Sequence, residues 1–135
     1  MASNLLYADS SALLKLVVRE PESGALARAI QEDATLATSG IARVEMTRAI
    51  RLADLEAETE IELEELLDSC SLVAVDEAIL RSAAALASQS LRALDAIHLA
   101  SALAIQPDAM LVYDRRLAGA ASEAGLRVEA PGATL

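Results

Sequence analysis

Apolar positions along the chain form short runs that alternate with helical stripes. Leu5 to Ala8 is an apolar run that stops at Asp9, the pattern of a buried strand. Ser10 and Ser11 then open a helical pattern carried by Leu13, Leu14, Leu16 and Val17. Pro21 suits a helical first turn, and a second helix runs to about Glu32. Ala34 to Thr38 reads as a second strand, and Ser39 stands where it would N-cap a long helix from about Gly40 to Leu55. From Glu56 to Glu64 an acid falls at every second position, which is the period of a strand. Helix is still expected there, because Glu, Ala and Leu are helix formers and a purely anionic strand face would repel itself. Leu72 to Val75 is a third strand, and Asp76 caps a helix whose inner face is Ile79, Ser82, Ala83 and Leu86. A further helix runs from about Leu94 to Ile105 and stops before Pro107. Met110 to Tyr113 is a fourth strand ending at Asp114. A last helix carries Leu117, Ala118 and Ala121 to near Gly125, and Arg127 to Ala130 reads as a fifth strand.

Strands alternating with helices predict an α/β fold with a mainly parallel sheet. In such sheets ligands sit outside the carboxyl ends of the strands, so the residues just after each strand carry the functional interest. The 135 residues fit a single domain spanning 1–135. No apolar run approaches the roughly 20 residues of a membrane span, and the opening Met1-Ala2-Ser3-Asn4 has no basic leader. A lone cysteine, Cys70, excludes an internal disulfide and any multi-cysteine zinc site, so the cytoplasm is the expected compartment. Cys70 itself reads as a small buried hydrophobe.

Two tyrosines and no Phe or Trp exclude nucleic-acid binding on aromatic stacking platforms. The net charge of −10 argues against a polyanionic partner, but it is unevenly spread. Asp54, Glu56, Glu58, Glu60, Glu62, Glu64, Glu65 and Asp68 lie together with no Lys or Arg among them. This segment is expected to be a solvated helix face, and the rest of the chain is close to balanced.

Four other acids raise a different question. Asp9 and Asp114 follow the first and fourth strands, where helix capping alone would explain either one. Glu45 shares a stripe with Ile41, Ala49 and Leu52, so it faces the interior or a cleft, or else pairs with Arg48 or sits at the stripe margin. Asp95 heads a stripe with His98, Leu99 and Ala102 at the start of a helix. His98 at i+3 from an acid is compatible with metal ligation, but a lone His on such a face is more often a core residue with one hydrogen bond. Four carboxylates gathered into one cleft would repel strongly and raise each other's pKa. A divalent cation removes that conflict, and Mg²⁺ and Mn²⁺ favour oxygen ligands.

The segments Tyr7-Ala8-Asp9-Ser10-Ser11-Ala12-Leu13, Arg43-Val44-Glu45, Leu94-Asp95-Ala96-Ile97-His98-Leu99-Ala100 and Val112-Tyr113-Asp114-Arg115-Arg116-Leu117 make up an ordered set. In order and separation they resemble the PIN-domain nucleases, and within them the VapC-like toxins of toxin–antitoxin pairs. The resemblance covers nearly the whole chain. It implies a three-layer α/β/α fold with a parallel five-stranded sheet, and an acidic Mg²⁺ or Mn²⁺ site made by Asp9, Glu45, Asp95 and Asp114. It further implies endoribonuclease activity on RNA, a cognate antitoxin partner and a homodimer. Ser10 and Ser11 match polar residues that follow the first acid in the family. In the family a Ser or Thr often stands two residues before the last acid; here that position is Val112.

Substrate grip is expected from cations near the motifs, above all Arg115 and Arg116, with Ser10 and Ser11 beside them. Lys15, Arg43 and Arg48 are weaker candidates, since surface pairing is the commoner fate of a single cation. Dimer contacts are expected on the helices from Gly40 to Asp54 and from Asp76 to Ser90. Two other readings keep the fold: an RNA-maturation nuclease without an antitoxin, and a non-catalytic binding module, although the latter predicts loss of acids that are all present. A receiver-like or dehalogenase-like phosphoryl-transfer domain fits less well. A receiver carries a second acid beside the first and a late lysine, whereas here Ala8 precedes Asp9 and Lys15 is the only lysine.

Overall fold

The structure is a computed structural model that describes residues 4–134. Of the opening residues read for a leader, all but Asn4 lie outside the described residues. In chain order the elements are β1 (Leu5–Ala8), α1 (Ser10–Leu14), α2 (Ser23–Ala29), β2 (Thr35–Ser39), α3 (Ala42–Leu52) and α4 (Ala57–Ser69). They continue as β3 (Ser71–Val73), α5 (Glu77–Ala84), α6 (Ala93–Ile105), β4 (Ala109–Leu111), α7 (Arg115–Glu123) and β5 (Val128–Glu129). The strands form one five-stranded sheet in the order β3-β2-β1-β4-β5. Every neighbouring pair is parallel, with Tyr7 of β1 opposite Ala37 on one side and Met110 on the other. The expected α/β architecture with a parallel sheet is the one observed.

β1 is central, and chain order reverses on either side of it. The switch point therefore lies between β1 and β4, where an open α/β sheet places its ligand crevice. Alternate side chains of the strands go to opposite faces. Leu6 and Ala8 pack with Leu13, Leu26, Met46, Ile50, Leu63 and Leu67 under α1 to α4. Tyr7, Met110 and Val112 pack with Leu99, Ala102, Leu117 and Ala121 under α6 and α7. The alanine-rich faces of α6 and α7 bring both helices close to the sheet. The edge strands β3 and β5 have three and two residues, too short to template pairing with another chain.

The Glu-rich segment is helical, as propensity predicts against its period of two. α4 is held by Leu63 and Leu67, both fully buried, while its acids face solvent. Burying each such leucine is worth about 1.5–3 kcal/mol. Arg43 pairs with Glu64, and Arg51 with Glu60 at 2.6 Å, across the α3–α4 contact.

Several boundaries differ from expectation. The first helix is a single turn ending at Leu14, because Leu16, Val17 and Val18 turn back to pack on the core. Ser39 ends β2 instead of capping α3. Its hydroxyl still accepts from the Ile41 N–H at 3.2 Å, and Ile41 holds the N-cap position. α3 buries Ala42, Met46 and Ile50, one position round from the expected stripe, and Leu52 is 79% exposed. On α5, Ile79 is buried and Ser82 is exposed. Asp76 caps that helix as expected, accepting from the Ile79 N–H at 2.9 Å. Among the described residues no helix is long and apolar enough to cross a membrane.

Candidate metal centre

β1 delivers Asp9 to the carboxyl edge of the sheet, and α1 starts at the next residue. Asp9 is buried and accepts from the Ala12 N–H at 3.0 Å through Oδ1. The Ser11 hydroxyl lies 3.1 and 3.0 Å from its two oxygens and shares one proton between them. Asp114 caps α7 in the same way, with Oδ1 accepting from the Leu117 N–H at 2.9 Å, but Val112 and Tyr113 separate it from β4, which ends at Leu111 and not at the expected Tyr113. Capping is thus real at both positions, and it engages one oxygen of each carboxylate. Asp95 lies in the first turn of α6 with no side-chain capping bond.

Glu45 sits at the margin of the α3 core stripe. The alternative of an ion pair with Arg48 is not realised. His98 Nε2 lies 2.8 Å from Glu45 Oε1, and the Ser10 hydroxyl donates to the same oxygen at 2.6 Å. Ser10 Oγ is also 3.1 Å from His98 Nε2, and the Tyr7 hydroxyl is 2.7 Å from His98 Nδ1. Tyr7, Ser10 and His98 are buried. His98 is therefore a core histidine with three side-chain partners, not the expected one. Ser10, expected among the substrate contacts, turns inward behind Glu45; Ser11 remains exposed beside Asp9.

The electrostatics link all four acids. Burial pushes the Asp9 carboxyl above the usual range, and the Asp95 charge adds to this, against the pull of the Ala12 N–H and the Ser11 hydroxyl. Asp95 is raised by burial, then by Asp114 and, more weakly, Glu45. Glu45 would be raised by its burial, but the hydrogen bonds from His98 and Ser10 hold it below the usual range. Asp95 is thus the acid that the charges of Asp114 and Glu45 reach, and its own charge reaches Asp9.

Among the described residues, no three His, Cys, Asp or Glu side chains already stand together as a closed ligand set. The donors are nevertheless all carboxylate oxygens, the chemistry Mg²⁺ and Mn²⁺ prefer. Two of them, Asp9 and Asp95, are raised in pKa by burial and neighbouring charge, a cost that a cation would relieve. By donor chemistry these residues fit a hard divalent ion.

Asp95 and Asp114 line a cavity of about 220 Å³ together with Ser90, Arg92 and Arg116. A larger cavity of about 410 Å³, lined by Leu16, Ile30, Leu36 and Leu66 among others, involves none of the four acids. Arg116 thus stands where sequence placed it, beside the acids. Arg92 was not anticipated; its only signal is a position three residues before Asp95. Arg92, Arg115 and Arg116 are exposed, and none makes an ion pair among the described residues. Lys15 is instead held by Glu20 and Glu22 at 3.2 and 3.0 Å, with its ammonium 4.7 Å from the centre of the Tyr113 ring. Arg43 is taken by Glu64. Val112 is fully buried among apolar neighbours, so no polar support for the site comes from that position.

The family model described as PIN domain matches residues 6–123. Ribonuclease VapC46 of Mycobacterium tuberculosis (strain ATCC 25618 / H37Rv) is 40% identical over 128 residues, covering 93% of this chain and 97% of that protein. Ribonuclease VapC47 of Mycobacterium tuberculosis (strain CDC 1551 / Oshkosh) is 37% identical over 137 residues, covering 96% and 98%. Two solved structures share the fold. The crystal structure of VapBC2 from Rickettsia felis, bound to a DNA fragment from its promoter, has a TM-score of 0.73 at 10% identity, covering 93% of this chain and 97% of that one. Mycobacterium tuberculosis VapC20, a Sarcin-Ricin loop cleaving toxin, has a TM-score of 0.71 at 14% identity, covering 90% and 95%.

Proposed function

The chain belongs to the PIN-domain family, and from that premise we propose that it is the ribonuclease toxin of a toxin–antitoxin pair. Its substrate is RNA, its cofactor Mg²⁺ or Mn²⁺, and its regulator a cognate antitoxin protein. The observation that carries the reading is the placement of Asp9 at the carboxyl end of the central strand of a parallel sheet, with Asp95 and Asp114 lining one cavity. Relatives at about 40% identity over nearly their full length, all named ribonucleases, support the reaction class. Neighbours in fold that are toxin–antitoxin complexes support the partner.

Asp9 and Asp95 are the carboxylates that would hold the ion, with Asp114 and Glu45 completing its surroundings directly or through water. When bound, the ion supplies charge relief at the phosphoryl group and an activated water. The chain supplies the rest. Asp9 is oriented by the Ala12 N–H and Ser11, so its carboxylate is fixed before any ligand arrives. Arg92 and Arg116 flank the Asp95–Asp114 cavity and are positioned to take RNA phosphates, with exposed Arg115 beside them. With two tyrosines, one of them buried, recognition rests on backbone and shape and not on base stacking.

The protein is a homodimer in this reading. Val44 and Leu52 of α3 and Leu80 of α5 are large apolar side chains left exposed on the helices expected at the interface. The direct test of the reaction is Asp9→Asn: metal-dependent RNA cleavage should fall by at least about a hundredfold, with the fold retained. Undiminished cleavage by a folded variant would overturn the site assignment. Co-expression with the product of any short gene found beside its own separates a toxin, which should co-purify as an inactive complex, from a maturation nuclease, which should not.

A further inference from the structure

A network of four side chains lies directly behind the acidic site, contributed by β1, α1, α3 and α6. Glu45 Oε1 receives two groups, the Ser10 hydroxyl at 2.6 Å and His98 Nε2 at 2.8 Å. An ionised carboxylate only accepts, so Nε2 must carry a hydrogen. The other ring nitrogen is 2.7 Å from the Tyr7 hydroxyl. With that hydrogen on Nε2, Nδ1 of the neutral ring is an acceptor and the Tyr7 hydroxyl is its donor. That bond selects the ring form with hydrogen on Nε2. Tyr7, Ser10 and His98 are all at least nine-tenths buried, so the donors are shielded from water, while Glu45 is half-buried and open on its other side.

We propose that His98 is a positioning residue for Glu45: with Ser10 it saturates Oε1 and leaves Oε2 as the oxygen presented to the metal and to the other acids. The inference rests on the metal-site reading and extends it to residues that touch no ion. Glu45 projects from α3 on a flexible stem whose rotamer freedom is costly to freeze at the moment of binding. Bonds from α1 and α6 freeze it in advance. No hydrogen bond reaches Oε2 from the described residues. α6 therefore does two jobs one turn apart: Asp95 supplies one carboxylate, and His98 aims another.

A buried histidine that merely filled space would leave a different signature. His98→Leu keeps the volume and removes the donor. His98→Gln keeps an N–H donor at about the same reach. The readout is Mn²⁺ affinity of the full chain, taken from the electron paramagnetic resonance signal of the free ion, with thermal unfolding run beside it. His98→Leu should weaken Mn²⁺ binding about tenfold, as loss of an outer-shell partner does. His98→Gln should recover to within about threefold of wild type, and His98→Leu placed on Glu45→Gln should add no loss beyond Glu45→Gln alone. Wild-type affinity in folded His98→Leu would overturn the proposal, as would equal loss in the Gln variant or a further loss on Glu45→Gln. Absence of Mn²⁺ binding by wild-type protein would instead bring down the metal-site reading, and this inference with it.

Discussion

Asp9 closes β1, caps α1 and carries a buried charge, and these roles conflict when no cation is present. Burial raises its carboxyl, so the folded state binds the proton more tightly than the unfolded chain does. The stability this group contributes is full below its unfolded pKa and is lost as pH rises through the folded one. In EDTA at neutral pH, Asp9→Asn should therefore melt higher than wild type. Asn still caps a helix, and each kcal/mol moves the melting temperature of a domain this size by roughly 2–8 °C. The gap should close as pH falls through the carboxylate range, and scanning calorimetry reads it directly. Adding Mn²⁺ should raise the wild-type melting temperature and leave the variant nearly unmoved. Sequence position exposed Asp9 because it directly follows β1, and Asp114 because an apolar run ends there and α7 begins. Glu45 was harder to place: the true core stripe of α3 is Ala42, Met46 and Ile50, so a one-position error in rotation put Leu52 inside when it is exposed. Its partner was not legible at all, because the bond from His98 joins residues 53 positions apart and depends on tertiary packing.

Among the elements, α4 shows how propensity overrode a misleading period. Its acids follow a spacing of two, yet Leu63 and Leu67, four apart, form the buried stripe of a helix. The fold depends on those leucines and not on the charges around them. Leu63→Ala should cost about 2–5 kcal/mol in urea unfolding. Glu60→Ala, which breaks only the exposed pair with Arg51, should leave the midpoint almost unchanged. The starts of α6 and α7 carry the opposite trade. Arg92 and Arg116 contribute little burial and make no ion pair among the described residues, yet they flank the cavity beside Asp95 and Asp114. Arg92→Ala and Arg116→Ala should each raise KM for RNA several-fold with kcat nearly retained. Each should also lower the salt slope of binding by about one, the signature of a lost phosphate contact. Titrating catalytically silent protein with labelled RNA at several salt concentrations tests both.

For the whole molecule, strand–helix alternation was enough to predict the parallel sheet, and the switch point beside the central strand explains why Asp9 lies at its carboxyl end. The sequence could not order the strands or reveal which cations were already engaged; Lys15 and Arg43 are occupied, while Arg92 entered only through the cavity it lines. The exposed Val44, Leu52 and Leu80 predict a dimer at micromolar concentration, which light scattering would read as about twice the 14.1 kDa chain mass. A strongly acidic chain that acts on a polyanion also requires its local chemistry to outweigh its net charge of −10. The most direct measurement of that claim is cleavage of a labelled mixed-sequence RNA by antitoxin-free protein with Mg²⁺, with Mn²⁺ and with EDTA, beside Asp95→Asn. Cleavage that needs the metal and disappears in the variant is the predicted result. Cleavage that survives EDTA, or persists undiminished in folded Asp95→Asn, would contradict it.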